Sequence, residues 1–346
     1  MEAFYTQKLL QKNHQSDEHF ERPFSFMAVK GKLRNQKKGT TMNPLTHFRK
    51  IRILPLLSLG AIFALVTAAH AENLYASANA PGSHKIFEFT PSGVQSIYAS
   101  GLDNPRGLAF DSLGNLFATT AHEADNIEIA KVLKFNLRNH ISTLGSAAKF
   151  FFEGLAIDIA GNVYVLANDD TSPTGASTIF KFTPSGDRIV FGSLPSQGWG
   201  LAFDSGGNLY AAQGPVNFGG DPTIYKFAPD GTRTIFVGPG AFAPGEYPVG
   251  LAFDRNGNLY VSIETFSDPG ADSIVYFSPI RVKSTFATGL TFPRGLAFDS
   301  AGYLFVAEAN AIPAGDILKF PPGGGSPTVF ASGFGRPEFL TFGPPR

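Results

Sequence analysis

Five copies of the phrase Gly-Leu-Ala-(Phe/Ile)-Asp begin at residues 107, 154, 200, 250 and 295, and a different residue stands in front of each. These residues are Arg106, Glu153, Trp199, Val249 and Arg294. A looser sixth copy, Arg336-Pro337-Glu338-Phe339-Leu340-Thr341-Phe342, adds Arg336 and Glu338. In a repeat, simple filler recurs with the phrase. A position that carries Arg, Glu and Trp in turn is a place where chemistry can differ from copy to copy. Three guanidinium groups offer paired donors to a carboxylate, sulfate or phosphate. Trp199 offers a flat face to a sugar or an aromatic ring. Arg106, Glu153, Trp199, Arg294, Arg336 and Glu338 are therefore the candidate binding residues, for a small anionic or sugar-like ligand. The alternative is internal pairing of the arginines with Glu338, Glu308 and main-chain carbonyls, which would simply close the space they line.

A second set carries oxygen ligands. Asn79, Asn168 and Glu264 each lie four residues after the aromatic of a recurring Leu-Tyr type segment, and Glu308 lies three after its own. Glu153, Asn168, Glu264 and Glu308 are the candidate metal ligands, and Ca2+ is the ion such oxygens suit. No other cofactor is indicated. The remaining polar residues of these segments include His84, Asp125, Asn126, Asp169, Asp170, Gln213, Asn217, Asp268 and Asn310. His122-Glu123 reads either as the acid/base pair of a lyase or as a solvated loop. Cys is absent, which excludes disulfides, thiolate metal sites and cysteine nucleophiles. No Gly-x-Ser-x-Gly, phosphate loop or His-Glu-x-x-His occurs, so serine hydrolase, nucleotide and zincin chemistry have no support. Residues 72–346 hold 17 Lys+Arg against 24 Asp+Glu, a net of −7, which is no footprint for nucleic acid.

The elements that must position these residues form a repeat. The leading glycines are spaced 47, 46, 50 and 45 residues apart. Each copy continues through Asp-x-x-Gly-Asn into a segment such as Leu259-Tyr260-Val261, then into an Ile-x-Lys-Phe type segment such as Ile224-Tyr225-Lys226-Phe227. A short run such as Thr328-Val329-Phe330-Ala331 follows. All four alternate or run apolar over strand lengths, and none has a 3.6-residue period. Asp in Asp-x-x-Gly-Asn can accept from its own turn amides and Gly takes positive φ, so Asp111, Asp158, Asp204, Asp254 and Asp299 are read as turn formers. A ring of calcium sites there is disfavoured, because each turn brings one carboxylate. Four short strands per unit at this period predict an all-β fold, a six-bladed β-propeller of four-stranded blades. The chain enters at a second-type strand near Leu74 and leaves at a first-type strand, 336–342. The C-terminal strand therefore closes the ring by joining the N-terminal blade. Phe203, Tyr210, Tyr225 and Phe227 are the expected filling between blades, and the phrase glycines mark close backbone approach at the centre.

The GLAFDxxGNLYVA phrase followed by IxKFxPxG resembles the NHL-repeat propellers. It also resembles the wider six-bladed group of gluconolactonase-like, strictosidine-synthase-like and virginiamycin B lyase-like proteins. The resemblance spans 73–342 and implies fold more than activity, since the architecture hosts enzymes and binding modules alike. The calcium-dependent lactonases of that group use acidic and amide residues in the channel, with a Gly-Glu-Gly-Pro opening. Here that opening is missing, and Pro229-Asp230-Gly231 lies in a turn between the third and fourth strands instead of before an inner strand. The reading is a ligand- or protein-binding propeller. A calcium-dependent lactonase, or a lyase, with its site at the channel mouth is the alternative.

Ahead of the repeat, His47-Phe48-Arg49-Lys50-Ile51-Arg52 is basic and residues 53–68 form an apolar run of 16. Ala69-His70-Ala71 then gives a small-x-small cleavage pattern. This order is that of a signal peptide, and the run is short for a spanning helix. The expected organisation is a leader at 1–41, translation from Met42 with a signal peptide at 42–71, and one propeller domain at 72–346. The mature chain is expected in the periplasm or outside the cell, not integral to the membrane.

Overall fold

The computed structural model describes residues 72–79, 84–124, 127–169, 171–172, 175–214, 221–265, 270–309, 315–333 and 335–343. The leader and signal-peptide readings, at 1–71, lie outside the described residues. So do Asp125, Asn126, Asp170, Asn217, Asp268, Asn310 and the side chains of His122 and Glu123.

Twenty-four strands form six four-stranded antiparallel sheets. The second blade is β4–β7 (Leu108–Phe110, Leu116–Ala124, Ile127–Phe135, Ile141–Ala148). The third is β8–β11 (Phe151–Ile157, Val163–Asn168, Ser177–Phe182, Arg188–Leu194). The fourth is β12–β15 (Gly198–Phe203, Leu209–Gln213, Thr223–Phe227, Arg233–Val237). The fifth is β16–β19 (Glu246–Phe253, Leu259–Thr265, Asp272–Phe277, Lys283–Leu290) and the sixth β20–β23 (Pro293–Phe298, Leu304–Glu308, Asp316–Phe320, Thr328–Ser332). The first blade takes its innermost strand from the far end of the chain. Its order is β24-β1-β2-β3, with β1 at Asn73–Ala78, β2 at Lys85–Phe89, β3 at Gln95–Ser100 and β24 at Pro337–Gly343. Leu74 pairs with Phe342 and Ala76 with Leu340, so the six-blade count and the closure hold. No helix among the described residues is long and apolar enough to cross a membrane.

The turn aspartates act as their spacing requires. Asp204 Oδ1 accepts from the amides of Gly206 and Asn208 at 2.9 Å, and Oδ2 accepts from Asn208 Nδ2 at 2.8 Å. Asp111, Asp158 and Asp254 repeat the pattern, and Asp299 keeps its two amide bonds. Gly207 sits at φ +77°, a conformation only glycine adopts cheaply.

Blades are held together by a recurring three-ring contact. Tyr210 meets Phe236 of its own blade edge-on at 5.0 Å and Phe253 of the next at 4.9 Å. Tyr75, Tyr164, Tyr260 and Phe305 make the same pair of contacts at their own interfaces. Edge-to-face rings contribute about 0.5–1.5 kcal/mol each beyond the area they bury. Phe203 and Tyr210 thus fill interfaces as expected. The second-to-third interface uses Leu144 and Ile157 around Phe117 instead.

Candidate functional site

The inner strands β8, β12, β16 and β20 are irregular where the distinctive residue sits. The ladder to the neighbouring strand slips between Phe152 and Leu155, Gly198 and Leu201, Pro248 and Leu251, and Pro293 and Leu296. The skipped pairs are Glu153-Gly154, Trp199-Gly200, Val249-Gly250 and Arg294-Gly295. A bulge releases a residue from the pleat and re-aims its side chain. The glycine is needed because neighbouring inner strands touch through their backbones here. A Cβ on Gly107 would meet Glu153 O at 2.6 Å, and one on Gly295 would meet Glu338 O at 2.8 Å.

Those bulges gather the predicted residues on one another. Arg106 Nη1 donates to Glu153 Oε2 at 2.8 Å. Arg294 Nε donates to Glu264 Oε1 at 2.9 Å and its Nη1 to Glu338 Oε2 at 2.5 Å. Arg336 Nε lies 3.0 Å from Glu338 Oε1, but its N–H is not aligned, so this is an ion pair without a hydrogen bond. The Arg294 guanidinium stands 5.3 Å from the centre of the Trp199 ring. Three arginines thus face three carboxylates, and the basic arc expected from Arg106, Arg294 and Arg336 is largely neutralised from within. Its internal pairing runs to Glu153, Glu264 and Glu338. Glu308 is elsewhere, accepting from the Thr291 amide at 2.8 Å.

Burial differs along the set. Glu338 is fully buried and Arg294 is 5% exposed, whereas the Arg336 side chain is 40% exposed. Burial pushes the Glu153 carboxyl up to about 7; Arg106 pulls it down and the nearby Glu338 charge pushes it further up. Burial also raises Glu264, against the pull of Arg294. For Glu338, burial is outweighed by Arg294, Arg106 and Arg336, which hold it below the usual carboxylate range. Fully ionised, the six groups sum to zero. As Glu153 takes a proton near pH 7, the set becomes cationic.

Hydrogen bonding at this end of the channel is incomplete. Buried Arg106 Nε, Trp199 Nε1 and Arg336 Nε have no hydrogen-bond acceptor among the described residues, and buried Asn104 Oδ1, Gln197 Oε1, Glu264 Oε2 and Glu338 Oε1 have no donor. Ser196 Oγ is in the same condition. All but Glu264 belong to the links into inner strands or to the strand starts. Below this layer, toward the Asp-x-x-Gly-Asn turns, the channel opens into a cavity of about 370 Å³ whose lining includes Leu108, Leu155, Leu201, Leu251, Leu296 and Leu340.

The structure does not bring the four candidate metal ligands to one point. Asn168 accepts from Ser177 Oγ at 2.5 Å and donates to Gly198 O at 3.1 Å, fastening the link into β12. Gln213 does similar work through the Ser196 amide at 3.1 Å. Glu153 and Glu264 do reach the channel, but each is engaged by a guanidinium. Ca2+ requires 6–8 oxygens, and here a fixed cation, Arg294, already lies between Glu264 and Glu338. Among the described residues no group of three or more His, Asp or Glu forms a ligand set. The channel residues therefore do not fit a divalent ion.

Two contributors were not foreseen. Glu264 had been grouped with the metal ligands, yet it is the partner of Arg294. Its departure from the Asn found at the equivalent positions 79 and 168 was the available signal. Asp272, fully buried, accepts from the amides of Thr265 and Phe292 at 2.7 Å and so sets the link that carries Arg294.

No protein-family model matches the chain, and no curated protein matches its sequence. Solved structures do match in shape. A gluconolactonase from Xanthomonas campestris superposes with a TM-score of 0.51 at 16% identity, covering 70% of this chain and 89% of that one. Regucalcin, a calcium-binding protein from Agrobacterium tumefaciens, gives 0.53 at 10% identity, covering 70% and 87%. A luciferin-regenerating enzyme gives 0.52 at 11% identity, covering 70% and 86%. At these identities what is shared is the propeller architecture.

Proposed function

We propose that this chain is an exported propeller that binds a small polar ligand, anionic or sugar-like, at the mouth of its central channel. The observation that supports this most is the cluster of unmet donors and acceptors around Arg106, Trp199, Arg336 and Glu338. Leaving one buried polar group unpaired costs about 1–3 kcal/mol, so unmet atoms such as Arg106 Nε, Trp199 Nε1 and Glu264 Oε2 favour occupation by a ligand with both donor and acceptor groups. Arg336 is the exposed member and makes first contact with an anion. The net charge of the domain does not steer that anion from afar. Titration with gluconate tests the reading. Saturable binding that weakens about tenfold in Arg336→Ala, and tightens as pH falls through 7, is expected. Undiminished affinity in that variant places the site elsewhere, such as the outer rim, as in a protein-binding module.

A second reading, lactone hydrolysis at the same mouth, rests on Glu153. A buried carboxyl with a pKa of about 7 is suited to move a proton at neutral pH. The likeness in shape to a protein named as a gluconolactonase points the same way. Hydrolysis of gluconolactone with added calcium, and again with chelator, discriminates. Turnover that survives the chelator and is lost in Glu153→Gln supports a metal-free hydrolase. Turnover lost with the chelator would make the mouth a calcium site after all.

A further inference from the structure

The opposite face of the ring carries a second repeat, which the channel does not use and which two blades break. In four blades the residue paired across from the strand-two aromatic is a lysine: Lys134 with Phe117, Lys181 with Tyr164, Lys226 with Tyr210 and Lys319 with Phe305. Its ammonium lies over the aromatic ring, at 5.5, 5.4, 5.5 and 5.1 Å in turn. Lys226 also approaches its turn carboxylate, Asp204, at 3.8 Å. Each of these four blades fills this place with its own alkylammonium group, held over a ring.

The first blade has Glu88 here, which accepts from the Tyr75 hydroxyl at 2.6 Å, and the fifth blade has an aromatic ring in place of the lysine. Its residue is Tyr276, stacked on Tyr260 with ring centres 5.2 Å apart and planes 22° from parallel. Asp254 keeps its turn bonds, and no ion pair to it is recorded among the described residues. Beside them is a cavity of about 600 Å³, walled by Tyr260, Tyr276, Phe286 and Phe298, with Glu72, Asp254 and Asp299 on its lining. Arg255 is its one basic side chain and is exposed. The cleft lined by Lys319, one interface on, is about 170 Å³.

We propose that the cleft between the fifth and sixth blades binds a small alkylammonium ion, the group that four of the other blades supply from their own lysine. Aromatic faces attract the cation through the ring quadrupole, and the carboxylates add charge. An ammonium on a short aliphatic stem is the matching chemistry, from a free amine or diamine or from a lysine side chain.

The test is titration of the purified protein at constant ionic strength with 1,5-diaminopentane, Nα-acetyl-lysine amide and 1-pentanol. The amines should bind saturably and pentanol at least about tenfold more weakly, since a desolvated cation–ring contact of ~1.4 kcal/mol or more corresponds to that factor. The better of the two amines identifies the source. Tyr276→Lys installs the residue of four other blades and should abolish amine binding while keeping the melting temperature. Asp254→Asn should weaken it about tenfold, and Tyr276→Phe should leave it within about threefold. Equal binding of pentanol, unchanged binding in both Tyr276→Lys and Asp254→Asn, or no saturable amine binding would each overturn the proposal.

Discussion

Replacing Arg294 by Met keeps most of the side-chain volume and removes the charge. The guanidinium is 5% exposed and donates to both Glu264 and Glu338. Without it Glu264 retains no recorded hydrogen-bond partner, since its Oε2 already lacks one. Glu338 keeps only the misaligned Arg336 contact. Breaking a buried ion pair from one side costs about 3–5 kcal/mol. At about 2 °C per kcal/mol for a domain of 275 residues, the melting temperature should fall roughly 6–10 °C at pH 8. The loss should be smaller at pH 5. Carboxylates stripped of their cation titrate higher in the folded state than in the unfolded one. Their contribution is fully present below the unfolded value, near 4.5, and is lost as pH rises through the folded value. Adding Glu338→Gln should restore part of the deficit at pH 8. Calorimetry of the native, single and double variants at both pH values is the assay. A single variant melting within about 2 °C of native at pH 5 and pH 8 would refute the pairing account.

Three other expectations can be checked with simple constructs. Glu153→Gln should flatten the pH dependence of stability: the native carboxyl, raised to about 7, contributes fully below its unfolded value of 4.5 and loses that contribution as pH passes 7, so melting curves of the native protein should fall more between pH 5 and 8 than those of the variant. Deleting 337–346 should lower the melting point of the whole ring by well over 2 °C in one transition, because β1 loses its partner and the first and sixth blades lose their seam; a loss confined to a minor fraying transition would contradict closure. Intact-mass analysis of the exported protein should give a chain starting at Glu72, and a mass that includes residues 43–71 would show that Ala69-His70-Ala71 is not cleaved.

The repeat made the backbone legible and left the side-chain partnerships hidden. A phrase such as Gly-Leu-Ala-Phe-Asp recurs because the strand, the Asx turn and the backbone contact at its glycine recur, and each is a local or nearest-neighbour constraint. The same logic located Arg106, Glu153, Trp199, Arg294 and Glu338 as neighbours. It did not say which carboxylate would take which guanidinium. Glu264 and Asn168 occupy equivalent positions, yet one reaches Arg294 and the other turns back to Gly198 O. That choice depends on the link length and the bulge of each blade, which are not local properties. The Tyr276 cleft was missed for a related reason. Its meaning lies in a comparison across strands, Tyr276 against Lys134, Lys181, Lys226 and Lys319, and the register that aligns them is visible only once the sheets are paired.

The seam formed by β24 also sets a clock. The hydrogen bond from the Phe339 amide to Ser77 Oγ spans 262 residues. At roughly 5–20 residues per second, the first three strands of the chain wait about 13–50 s for the strand that completes their blade. Blades two to six are contiguous in sequence and can assemble as they emerge. The first cannot, and until it does the sixth has no neighbour on one side. Ring formation is therefore a terminal event, with an exposed β1 edge for as long as synthesis lasts. A ring built this way closes only after the strand at 337–343 has been made, however early its other blades form.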